Sequence, residues 1–181
     1  MGTLLLNLLI DFILIGIPAF YFYKFRKAKT LKKILKEFGL FFRSKRKDAF
    51  SSALIFIELF AASIGISLAL SAFGLNDLGN VTNVIETVKK TAPLLLIYVF
   101  LVRIPAEELF FRSFLTKKLG IWFSSAIFAL AHVFYYSIGE VIGAFILGAI
   151  LAYNFRANRT IVPNIMAHIL YNFIIIILIL V

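Results

Sequence analysis

Glu107, Glu108, Arg112, His132, His168 and Asn172 all lie within stretches otherwise apolar enough to sit in lipid. A charged side chain at the bilayer centre costs about 2.5–3.5 kcal/mol on insertion scales, so residues kept there usually face a protein interior and carry function. His132 and His168 are the only histidines in the chain. The set offers a carboxylate and imidazoles for proton transfer, and donors for an oxyanion formed when a carbonyl is attacked.

Helical spacing separates the roles. Glu108 and Arg112 are four apart in the favourable order and can pair along one face, which leaves Glu108 ionised and supporting. Glu107 is turned about 100° away, and its own neighbour one turn on is Phe111. It has no local cation, so it can point into the bundle as a general base or acid, sharing a water with His132. His168 and Asn172 are also four apart and point the same way. A zinc site on Glu107, His132 and His168 is the minority alternative. No helix carries two histidines in the HExxH pattern, and Arg112 beside the carboxylates disfavours a dication. Ser113 and Thr116 lie nearby without a convincing base to activate them.

The 181 residues are 62% hydrophobic with a mean hydropathy of +0.99, and contain no Cys. Disulfides, thiolate metal sites and cysteine nucleophiles are therefore excluded. Recurring apolar runs of about 18 or more residues indicate transmembrane helices. Of 19 basic residues, eleven fall between Lys24 and Lys47. Set between apolar helices, this segment suits anionic lipid headgroups on the cytoplasmic side better than nucleic acid. The N-terminal apolar run lacks preceding basic residues and does not resemble a signal peptide.

We expect an all-α polytopic bundle of about six spans: 4–23, 49–73, 92–118, 121–136, 141–155 and 163–181. The apolar positions 31, 34, 35, 38, 41 and 42 follow a 3.6-residue period and predict a helix on the membrane surface. Residues 74–90 read as an outside loop whose charges, Asp77, Glu86, Lys89 and Lys90, sum to zero. Pro105 should kink or restart the third span, with both glutamates in a fresh first turn. Small residues at Gly139 and Gly143, and at Ala144, Gly148 and Ala152, permit close packing. Basic turns at 24–47, 117–118 and 156–159 put both termini outside. Glu107, His132 and His168 then lie at similar depths, about 15, 16 and 13 Å from the cytoplasmic ends of their helices. Asp11 should pack against neighbouring helices, whereas Glu58 could approach the cluster by depth.

The strings Glu107-Glu108-Leu109-Phe110-Phe111-Arg112, Phe128-Ala129-Leu130-Ala131-His132 and His168-Ile169-Leu170-Tyr171-Asn172 resemble the EExxxR, FxxxH and HxxxN motifs of the CAAX protease and bacteriocin-processing (CPBP, or Abi) family. They occur in the family's order. The resemblance divides the chain into N-terminal helices with a basic loop (1–91) and a four-helix catalytic core (92–181). It implies an intramembrane endopeptidase, with relatives that cleave prenylated CAAX proteins after the modified Cys. Glu107 and His132 would activate water, Glu108 and Arg112 would support the site, and His168 with Asn172 would form the oxyanion hole. A metal-independent glutamate mechanism is favoured, with no cofactor. The chain is short beside the eukaryotic CAAX enzymes, so a peptide other than a prenylated one remains open as substrate. Two other classes stay open: a non-catalytic immunity or partner-binding protein on this fold, and a transporter with a buried proton or ion site.

Overall fold

Helix boundaries follow the caps that the sequence supplies. The computed structural model describes residues 2–75 and 77–180; 87% of these are helical, and no strand forms among them. Helix α1 spans Gly2–Phe25 and α2 spans Leu31–Phe38. Thr30 caps α2, its hydroxyl accepting from the Lys33 amide at 3.4 Å. Gly39, at φ 77, closes it: the Gly39 amide donates to Lys36 O and the Leu40 amide to Leu35 O, both at 2.9 Å. This left-handed cap stops the surface helix before positions 41 and 42, which the apolar period had included.

Helix α3, Lys45–Ala72, starts at Ser44, whose hydroxyl accepts from the Lys47 amide. The stretch expected as an outside loop contains a further helix, α4, Leu78–Thr91. Its apolar face, Val81, Val84, Ile85 and Val88, lies along a cavity, which accounts for a helix in a segment with no net charge. Helix α5 is a continuous rod over residues 93–119 with two π-helical stretches, Val99–Arg103 and Glu108–Thr116. Pro105 therefore neither kinks the chain out of the helix nor creates a free first turn. Arg103 and Ile104 keep helical backbone angles, and the wider turn before Pro105 accommodates its missing N–H.

Gly120 ends the rod at φ 83, ψ 179, a conformation essentially confined to glycine. Helix α6, residues 121–130, is shorter than the span expected to Tyr136. A 3₁₀ turn at Val133–Tyr135 follows it, and Ser137 caps α7, Ile138–Asn158. Helix α8 is Val162–Leu180.

Two ends of the bundle are stitched differently. At the basic end, Ile161 N–H donates to Gly39 O at 3.0 Å, and the buried Thr160 hydroxyl lies 2.6 Å from Phe41 O. Arg43 donates to Asp48 at 2.7 Å and to Asn158 at 2.7 Å. All three basic turns thus gather together. At the other end, Asp77 accepts from the Ser137 hydroxyl (2.7 Å) and from the amides of Ile138 (2.5 Å) and Gly139 (3.2 Å). Burial works to raise the Asp77 carboxyl, but these three donors outweigh it and hold the group below its usual 3.8.

Large apolar side chains such as Leu5, Phe12, Leu68 and Leu101 are exposed around the bundle. A band of this kind belongs in lipid. Among the described residues four helical segments are long and apolar enough to cross a membrane: Leu5–Phe25, Lys45–Ala72, Ile138–Asn158 and Val162–Ile179. Helix α5 is too charged and α6 too short to qualify, so length and composition alone give four spans, not six.

Candidate active site

Glu107 and Glu108 straddle the junction between an α turn, Ile104–Glu107, and the π stretch Glu108–Thr116. The two carboxylates separate sharply there. Glu108 is fully buried and pairs with Arg112 Nε at 3.4 Å. Its Oε1 accepts from His168 Nδ1 at 3.0 Å, and its Oε2 accepts from Asn164 Nδ2 at 3.3 Å. Asn164 also donates to Leu151 O at 2.7 Å, which ties α7, α8 and α5 through one amide. Glu107 makes no hydrogen bond or ion pair among the described residues. It lies half-buried on the wall of a cavity.

That cavity has a volume of about 630 Å³ and is lined by Glu107, His132, His168 and Asn172 together. Glu107, His132 and His168, brought to similar depths by helical arithmetic, therefore share one space with Asn172. Glu108 and Arg112 stand behind it. Arg112 is fully buried, its guanidinium 4.2 Å from the Phe128 ring centre; beyond the Glu108 contact its nitrogens have no hydrogen-bond partner among the described residues. Phe128 also packs against His132, ring centres 4.5 Å apart. Close approach here depends on Gly148: a Cβ at that position would sit 3.1 Å from Phe128 and 3.6 Å from Arg112.

His132 Nδ1 lies 2.8 Å from Phe128 O. A carbonyl only accepts, so Nδ1 carries the proton and the neutral ring keeps its lone pair on Nε2. His168 is held through Nδ1 by Glu108, which leaves Nε2 as its remaining donor position. Glu107, Nε2 of His132 and the His168–Asn172 pair thus supply proton acceptors and potential donors to a single cavity.

One expectation needs correction. Glu58 does not join the site: it is exposed on α3, accepts from Asn154 Nδ2 at 2.6 Å and is absent from the cavity wall. The cavity wall extends through Asp77, Tyr135 and Glu140, and none of the basic turns contributes to it. Asp11 packs against helix partners as expected, pairing with Arg103 at 2.9 Å and accepting from the Tyr98 hydroxyl. Arg103 also donates to Asn7 at 2.6 Å. Sequence reasoning missed Asn164, although it stands four residues before His168 on the same face. It also passed over Glu140, whose Ser137-x-x-Glu140 spacing is a helix-start signature.

No three His, Asp or Glu side chains among the described residues are grouped so as to hold a metal ion. The fit of the chain to zinc through Glu107, His132 and His168 is accordingly poor.

Residues 89–174 match the sequence model of the type II CAAX prenyl endopeptidase Rce1-like family. That segment, which carries all six polar positions, is similar to this family of membrane proteases. No curated protein and no solved structure matches it.

Proposed function

We propose that the protein is an intramembrane endopeptidase of the CAAX type that hydrolyses a peptide bond with water activated by Glu107 and His132. The observation that carries this reading is the shared cavity of Glu107, His132, His168 and Asn172, with Glu108 withdrawn from it by three partners.

A water between Glu107 and His132 Nε2 gives up a proton to Glu107 as its oxygen attacks the scissile carbonyl carbon. The oxyanion that forms accepts from the Asn172 amide and lies beside the His168 ring that Glu108 holds in place. Collapse breaks the C–N bond, and the proton on Glu107 passes to the leaving amine. Glu108 and Arg112 do not touch the reacting atoms. They hold His168 in its ring orientation, as the outer partner of a catalytic imidazole does. The poor fit to zinc favours this metal-independent route.

The gathering of basic turns at one end supports six passes, with α5 and α6 as the third and fourth and the basic end in the cytoplasm. A peptide, prenylated or not, is the substrate class, and no nucleic acid partner is needed. The test is cleavage of a peptide library by the purified protein in vesicles, read by mass spectrometry before and after exhaustive chelation. Turnover that survives chelation and is lost in His132→Ala supports the reading. Turnover abolished by chelation and restored by zinc would assign a metalloprotease instead.

A further inference from the structure

Outside the main cavity, a second pocket lies at the basic end. Its volume is about 280 Å³, and its wall combines Arg26 from the end of α1, Lys33 and Lys36 from α2, Lys117 from the end of α5, and one carboxylate, Glu37. Four cations face one anion. Glu37 is engaged with Arg26 at 3.5 Å. Lys33 and Lys36 make no ion pair among the described residues.

The arrangement is held from beneath. Phe38 is buried beside Phe22 at 5.1 Å, which fixes the rotation of α2, while Lys33 and Lys36 on its other side remain exposed. Lys117 donates to the backbone carbonyl of Glu37 and lies 5.4 Å from the Phe155 ring centre, so its position is set by packing. Cations kept together around a concave site with a single carboxylate are repelled from one another unless an anion joins them. The pocket also lies where α1 and α5 leave their apolar stretches, at headgroup depth for a bundle in lipid.

We propose that this pocket is a discrete binding site for a phosphate group, contributed by an anionic lipid headgroup or by a soluble phosphate. Arg26 supplies a planar fork to two phosphate oxygens, and Lys33, Lys36 and Lys117 supply point charges around the remainder. The site is independent of the peptidase chemistry. Basic residues elsewhere in 24–47, such as Lys32, Lys45, Arg46 and Lys47, do not line it.

The experiment compares three full-length proteins: wild type, the pocket variant R26Q/K33Q/K36Q/K117Q, and the charge-matched variant K32Q/K45Q/R46Q/K47Q. Each is taken from vesicles of phosphatidylglycerol and phosphatidylcholine, and retained lipid is counted by native mass spectrometry. A second arm titrates inorganic phosphate against the proteins in detergent. The double variant K33Q/K36Q, which leaves the Lys117 and Arg26 contacts intact, serves if the pocket variant unfolds. The expected result is one retained phosphatidylglycerol, or one saturable phosphate, in wild type and the charge-matched variant. In the pocket variant, binding should weaken by about tenfold or more, a change of about 1.4 kcal/mol or greater. Lipid retention without phosphate binding assigns the headgroup as the source; phosphate binding alone assigns the soluble anion. Equal losses in both variants, or no saturable binding in wild type, would overturn the proposal.

Discussion

Two adjacent glutamates serve different ends because their surroundings differ completely. Glu108 has Arg112, His168 and Asn164 within reach and no exposure; Glu107 has a cavity and no hydrogen-bond or ion-pair partner among the described residues. Removing one member of a buried charge pair leaves the other uncompensated and typically costs about 3–5 kcal/mol. Glu108→Gln should therefore lower thermal stability in detergent by an amount in that range, read by unfolding midpoint. Glu107→Gln replaces a carboxylate with no ion pair to lose, so its midpoint should stay near that of wild type while turnover falls. The separation of these two glutamates was legible in sequence, because adjacent positions on any helix face different ways. The partners Asn164 and His168 were less so. They come from another helix, and only packing decides which side chain reaches Glu108.

At the scale of elements, the site depends on where helices start, stop and widen. Gly148 on α7 lets Phe128 and Arg112 approach α7, and Gly148→Val would place methyl groups against both. Overpacking of this kind costs about 1–3 kcal/mol. We expect a lower unfolding midpoint and a loss of turnover, since Phe128 sets the His132 ring. The Asp77 link between the α3–α4 turn and the start of α7 has a pH signature. Its carboxyl is held below the ordinary value, so its stabilisation is fully present above that value, near pH 4, and is lost as pH falls through the folded-state value. Acid titration of the unfolding midpoint should show a drop in wild type. That drop should be diminished in Asp77→Asn, which should also be less stable at neutral pH by about 1 kcal/mol, as for a lost helix cap. Helix ends at Phe38 and Gly120 follow from glycines visible in the sequence. The π stretches do not: nothing in residue periodicity marks a turn that is wider by one residue. Helix α4 was hidden for another reason, since its apolar face, Val81, Val84, Ile85 and Val88, is short and interleaved with polar residues.

For the whole molecule, the distribution of basic residues and the direction of the cavity make opposing demands. With the basic end in the cytoplasm, as proposed above, the cavity wall would run from mid-bundle toward Asp77 and the non-cytoplasmic face. The chain contains no Cys, so single cysteines can be labelled without background. Thr87→Cys on α4 should react with an impermeant maleimide on intact cells, and Lys29→Cys only after lysis. The reverse pattern would invert the topology and turn the cavity end toward the cytoplasm. The all-helical fold and the polar cluster could be read from hydropathy and spacing. The side from which a substrate reaches the cluster could not, because it depends on how α4 and the Tyr135 turn cover the helix ends. The central claim is that Glu107 activates the attacking water. Its most direct test is the rate of peptide-bond hydrolysis by purified Glu107→Gln against wild type in the same vesicles, with equal unfolding midpoints as the control. The expected result is a rate lower by about 10²–10⁴-fold, the usual contribution of a general base; a rate within a few-fold of wild type would contradict it.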